Sequence, residues 1–114
     1  MGETGGMPYL EIRSYQLIPT GQATFDRIVR EEAIPLLLAA GLDVVAFGPA
    51  ENSDDAYYLM RAWTSPEAHA AGTEDFYSGA AWREGPREAV MSWLESYSEI
   101  LVPVSDAALE ALRR

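Results

Sequence analysis

Apolar and polar positions along this chain change period several times, and each change marks an element. Tyr9-Leu10-Glu11-Ile12-Arg13-Ser14-Tyr15-Gln16-Leu17 is rich in aromatic and β-branched residues and runs into the turn cluster Ile18-Pro19-Thr20-Gly21, which predicts a first strand. Between Gln22 and Ala40, Phe25, Ile28, Val29, Leu36 and Leu37 recur at helical spacing, with Asp26, Arg27, Arg30 and Glu31 mostly on the opposite side. Thr20 is the expected N-cap of that helix and Gly41 its C′ residue. Pro35 removes one intrahelical hydrogen bond and clashes with the carbonyl four residues back, so a kink is expected near Glu31 or Glu32.

Two further strands, Asp43 to Pro49 and Ala56 to Thr64, flank the polar stretch Glu51-Asn52-Ser53-Asp54-Asp55 and predict a hairpin. Ser65-Pro66-Glu67 is an N-cap followed by proline at the first helical position, opening a helix through about Ala71. Gly72, Gly79 and Gly85-Pro86 are expected to divide the next residues into short helical pieces, one of them Pro86 to Met91. Trp93 to Val102 alternates as a last strand stopped by Pro103, and Ser105 to Leu112 forms a short terminal helix or tail. The order β-α-β-β-α-β is the split βαβ arrangement of an α+β protein: a four-stranded antiparallel sheet with helices on one face. Two helices hide one face only. The other, if aromatic, calls for a partner, most simply a second copy packed sheet to sheet as a homodimer.

With 114 residues, the chain has the length of a single domain; residues 8–103 hold the elements, after a leader at 1–7 and before a tail at 104–114. Eight arginines, no lysine and 18 acidic residues give a net charge of −10. Nucleic acid and anionic membrane surfaces are therefore poor partners. No cysteine is present, which removes disulfides, thiol nucleophiles and thiolate metal sites. The single histidine has no His-Glu-x-x-His companion, and no dinucleotide or phosphate-loop fingerprint occurs, so neither metal nor cofactor is expected. A cytoplasmic location is expected.

Glu11-Ile12-Arg13-Ser14-Tyr15, Pro19-Thr20-Gly21, Ala33-Ile34-Pro35-Leu36-Leu37, Phe76-Tyr77-Ser78-Gly79-Ala80-Ala81-Trp82-Arg83 and Gly85-Pro86-Arg87-Glu88-Ala89-Val90 occur in this order over roughly residues 8 to 103. The set resembles the NIPSNAP family. The resemblance implies a ferredoxin-like dimeric α+β barrel, an architecture shared with cofactor-free antibiotic-biosynthesis monooxygenases, haem-degrading enzymes and muconolactone-type isomerases. The chain departs from the family pattern at Glu32, where many members carry histidine.

Side chains alternate along strands, so Glu11, Arg13 and Tyr15 share one face of the first strand. Tyr57, Leu59, Arg61 and Trp63 share one face of the third, and Glu95, Tyr97 and Glu99 one face of the fourth. If these faces coincide, they suit a planar, oxygen-bearing anion. Arg13 and Arg61 would hold its anionic end, Tyr15 and Tyr97 would hydrogen-bond a developing enolate, Trp63 and Tyr57 would flank it, and Glu11, with its pKa raised by desolvation, would move a proton. That composition suits a cofactor-independent oxygenase or isomerase acting on a small aromatic or polyketide-like acid. The competing reading is a non-catalytic binding or assembly module, in which Glu11–Arg13 and Arg61–Glu95 are cross-strand ion pairs at a dimer interface. His69 lies among small and polar residues and reads as a surface histidine, with a general base or haem ligand as the alternative. Trp82, Trp93 and Phe76 read as anchors of the short helices, and Arg83 and Arg87 as part of a solvated face with Glu84 and Glu88.

Overall fold

A computed structural model describes residues 7–113, so the expected leader lies outside the described residues except for Met7. The strands are β1 (Tyr9–Leu17), β2 (Asp43–Pro49), β3 (Ala56–Trp63) and β4 (Leu94–Pro103). They form one antiparallel sheet in the order β2-β3-β1-β4, as the split βαβ reading requires. The helices are α1 (Gln22–Ile28), α2 (Ile34–Ala39), α3 (Pro66–Ser78), α4 (Ala80–Arg83), α5 (Arg87–Trp93) and α6 (Asp106–Leu112).

The expected kink takes the form of a π-helical turn, Val29–Ala33, between α1 and α2. Ile34 N–H bonds to the Val29 carbonyl five residues back, which slips the register ahead of Pro35. Gly41 ends the helix at φ +84°, with Gly41 and Leu42 N–H returning to the Leu38 and Leu37 carbonyls. Thr20 is not the N-cap: its backbone sits at φ +71° in the preceding turn, and Gly21 takes that position without a side-chain bond.

Gly72 does not break α3, which begins where expected with Ser65 Oγ accepting from Ala68 N–H at 3.0 Å and runs on to Ser78. The glycine serves packing instead. A Cβ at position 72 would overlap the ring of Trp63, which lies across the helix and is tethered by its own indole N–H. Alanine normally favours a helix over glycine by about 1 kcal/mol; at position 72 this clash works against that gain.

The face of β1 and β3 that carries Tyr15, Leu17, Tyr57 and Leu59 packs against Phe25, Ile28, Val29, Ile34, Phe76, Trp82 and Val90 and forms the main core. Phe76 and Trp82 thus act as anchors, and Trp93 is half-buried against the same core. Tyr57 is sealed into it, its hydroxyl donating to Asp26 Oδ1 at 2.6 Å. Burial and the Asp26 carboxylate hold that hydroxyl's pKa well above the ordinary phenolic range. The opposite face of the sheet is partly covered by α6, whose Leu109 is buried against Leu10, Val45, Ala46 and Ala62. Arg113 ties the end of this helix to Asp43 through bonds of 2.8 and 3.0 Å. The remainder of that face presents Ile12 and Met60, paired across β1 and β3, and Ile100, which is 58% exposed. No helix among the described residues is long and apolar enough to cross a membrane.

Candidate functional site

The polar side chains singled out on β1 and β3 face the helices, so they do not lie in a sheet-to-sheet interface. In the ladder, Glu11 stands opposite Arg61 and Tyr15 opposite Tyr57, while β4 sets Glu99 opposite Arg13 and Tyr97 opposite Tyr15. Glu11 is fully buried and accepts four hydrogen bonds. Its Oε1 takes Arg61 Nε at 2.8 Å and Trp63 Nε1 at 2.9 Å; its Oε2 takes Arg61 Nη2 at 2.9 Å and Arg13 Nε at 2.7 Å. Burial pushes the Glu11 carboxyl upward. The hydrogen bonds and charge of Arg61, with the bond from Arg13, outweigh it and hold Glu11 well below the usual carboxylate range. Glu11 is thus an ionised anchor, and the raised pKa a proton-moving role required is not met.

Arg61 is equally buried and fully used: two of its nitrogens grip Glu11 and the third donates to the Tyr77 hydroxyl at 3.1 Å. The expected Arg61–Glu95 pair does not form, because β1 lies between β3 and β4. Arg13 differs. One edge of its guanidinium is held by Glu11, the rings of Tyr77 and Tyr97 lie 5.1 and 5.2 Å from its central carbon, and Nη2 approaches Glu99 at 3.5 Å.

Arg13 stands in the wall of a cleft of about 580 Å³ between the helices and the sheet. Tyr15, Leu94, Tyr97 and Glu99 complete the sheet side; His69, Thr73 and Tyr77 line it from α3, and Trp82 and Arg87 from α4 and α5. Burial, then Tyr77, pushes the Tyr15 hydroxyl up to about 12 against the pull of Arg13, so it is a protonated donor at neutral pH. Arg87 lies at the exposed rim and, among the described residues, has no ion-pair partner; the salt-bridged face expected with Arg83 does not form, because the two arginines fall on separate helices.

His69 is not a surface residue. Its side chain is 18% exposed, its Nε2 lies 3.2 Å from Glu99 Oε1 and 3.6 Å from Glu11 Oε2, and its ring meets Trp63 edge-on. Glu11, His69 and Glu99 bring one ligand-type atom each within 4.8 Å of one another. They suit a cation poorly, since Glu11 already neutralises Arg61 and Arg13 and has both oxygens occupied.

Of the residues expected at a site, Arg13, Tyr15 and Tyr97 line the cleft, while Glu11, Arg61 and Trp63 form the layer that braces it. Tyr57 belongs to the core. Glu99 joins the cleft residues from the face expected of β4; His69, expected at the surface, and Trp82 and Arg87, expected elsewhere, are brought in by the packing, and Thr73 and Tyr77 are additions from the structure. On α3, positions 69, 73 and 77 fall one helical turn apart, a stripe visible in sequence once the helix is known not to break at Gly72.

No family model matches this sequence, and no curated protein matches it either. Solved structures do. A NIPSNAP family protein from Agrobacterium tumefaciens superposes with a TM-score of 0.77 at 15% identity, covering 93% of each chain. An uncharacterized NIPSNAP-like domain protein from Burkholderia xenovorans gives 0.78 at 15% identity, covering 88% of this chain and 87% of its own. A Bordetella bronchiseptica protein provisionally described as an antibiotic biosynthesis monooxygenase gives 0.70 at 24% identity, over 86% of this chain and 97% of its own. The ferredoxin-like α+β fold implied by the resemblance is the fold these proteins share with this chain.

Proposed function

We propose that the cleft binds a small, planar aromatic acid and that the protein acts on it as a cofactor-independent isomerase or oxygenase. The observation that carries this reading is Arg13, a buried cation pinned on one edge by Glu11, with the rings of Tyr77 and Tyr97 nearby, and set in the wall of a cleft of ligand size. A guanidinium in that setting matches a carboxylate or enolate, and the rings around it match a flat body. The chain's charge of −10 repels anions at long range, so recognition rests on these short contacts.

Arg13 and the protonated Tyr15 hydroxyl stabilise negative charge developing on the ligand's oxygen. His69, oriented by Glu99, takes the proton-accepting role that the paired Glu11 cannot fill. The proton removed is that of a phenolic O–H or an enolisable C–H of the ligand. The resulting delocalised anion is either reprotonated at another carbon, completing an isomerisation, or passes two electrons to dioxygen, forming a C–O bond to a hydroperoxide that eliminates water to leave a carbonyl. The second branch is the chemistry named for one fold neighbour, the Bordetella bronchiseptica protein described as a monooxygenase.

Benzoate is the simplest probe. His69 is the only imidazole in the chain, so its ring resonances are a single, assignable reporter. Saturable shifts of His69 and the Trp82 indole on adding benzoate are expected; no shift up to the solubility limit would oppose the reading. In the same reading, a second copy of the chain covers Ile12, Met60 and Ile100 on the open face of the sheet. Sedimentation velocity at dilute concentration should then find a dimer, and a stable monomer would remove the barrel from the account.

A further inference from the structure

Behind the cleft, between the helical layer and the sheet, lies a second space of about 30 Å³ walled mostly by apolar groups, among them Phe25, Val29, Ala33 and Leu59, together with Tyr15, Tyr57 and Tyr77. Tyr15, Tyr77, Trp82 and Val90 belong to the walls of both spaces, so the two lie on either side of these side chains. One water-sized sphere needs roughly 10–15 Å³ of such volume, so the inner space has room for about two. A void with apolar walls stays dry and its lining forfeits dispersion contacts. Val29 and Ala33, which form part of its wall, are the first and last residues of the π-helical turn.

We infer that this inner pocket seats a one- or two-carbon apolar substituent of the ligand whose acidic end is held by Arg13. The inference rests on the reading of the cleft as an acid-binding site and adds a second specificity element to it. Arg13 and Tyr15 lie two residues apart on one strand face, a span of about 6.6 Å. That distance is close to the reach of a para substituent measured from the carboxylate of a benzoate. The substrate class is thereby narrowed to an aromatic acid with a short alkyl group opposite its acidic end. A polar substituent in that position would lose its hydration with no partner on Phe25, Val29, Ala33 or Leu59 to replace it.

The test is the affinity of the full chain for benzoate, 4-methylbenzoate, 4-ethylbenzoate and 4-tert-butylbenzoate. Each added carbon should tighten binding about fourfold as far as ethyl, and tert-butyl should reverse the gain. Ala33→Val narrows the pocket and should leave benzoate unchanged while erasing the ethyl advantage. Equal affinity across the series, or an ethyl advantage that survives Ala33→Val, overturns the inference while leaving the cleft reading intact. If benzoate itself does not bind, the cleft reading fails and this extension fails with it. Xenon reads the pocket without any anionic anchor and without a variant. Shifts at the Val29 and Ala33 methyl groups in xenon-equilibrated wild type are expected, and their absence means there is no pocket to fill.

Discussion

Replacing Glu11 with glutamine should lower the free energy of unfolding by about 3–5 kcal/mol, because two guanidiniums would be left in the protein interior without their shared counter-ion. Set against the 5–15 kcal/mol typical of a folded domain, this is a large share of the margin. The reason is in the geometry: Glu11 accepts from Arg61, Arg13 and Trp63, and none of the three has another carboxylate as close. Removing one of the stranded charges together with Glu11 should return part of the loss. The double variant Glu11→Gln, Arg13→Met is therefore expected to be more stable than the sum of the single effects, and chemical denaturation of all four proteins measures the coupling. Additive losses would mean that Glu11 and Arg13 act independently.

The same carboxylate sets a pH dependence. Its folded pKa is depressed, so its stabilising contribution is complete above the unfolded carboxylate value of about 4.3 and is lost as pH falls toward the folded value. Thermal unfolding of the wild type should therefore weaken steeply below about pH 4. Glu11→Gln should trace a flatter acid limb from a lower starting point.

Arg13→Gln should weaken benzoate binding about 10- to 100-fold, the range expected for losing hydrogen bonds to a charged partner. The fold has a route to survive this change, since Arg61 continues to grip both oxygens of Glu11. Cooperative unfolding should persist while binding is lost, which separates a ligand contact from an architectural one. Arg87→Gln should cost less and lose its effect at high salt, because Arg87 is exposed at the rim. If Arg13→Gln instead binds benzoate normally, the guanidinium serves the core and the cleft has another purpose.

The strands were readable because each announces itself locally: β1 through alternation around Glu11, Arg13 and Tyr15, and the hairpin of β2 and β3 through its polar loop. Pro35 likewise announces a disturbance of the first helix by its missing donor, although nothing local says that a π turn will absorb it. Gly72 misleads because its reason for being small lies in Trp63, a residue of the neighbouring strand. His69 misleads in the same way: its carboxylate partners, Glu11 and Glu99, are brought to it by the sheet, and its own segment shows only alanines and polar residues. The groupings on β1 and β3 hold, and on β4 Tyr97 and Glu99 share the cleft side. The bulge beside Gln16 and Leu17, however, brings Leu94 rather than the expected Glu95 into line with them, a local shift no alternation announces. The direction of these faces is a separate matter. Both sides of the sheet carry apolar residues, and only the packed helices decide that Arg13 points into a cleft and Ile12 away from it.

A crystal structure of the wild-type protein with benzoate tests the central claim most directly. The carboxylate is expected on the Arg13 guanidinium, the ring among Tyr77, Trp82 and Tyr97, and His69 beside it on the α3 wall. Benzoate bound elsewhere, or a cleft that stays free of it at saturating concentration, would contradict the account.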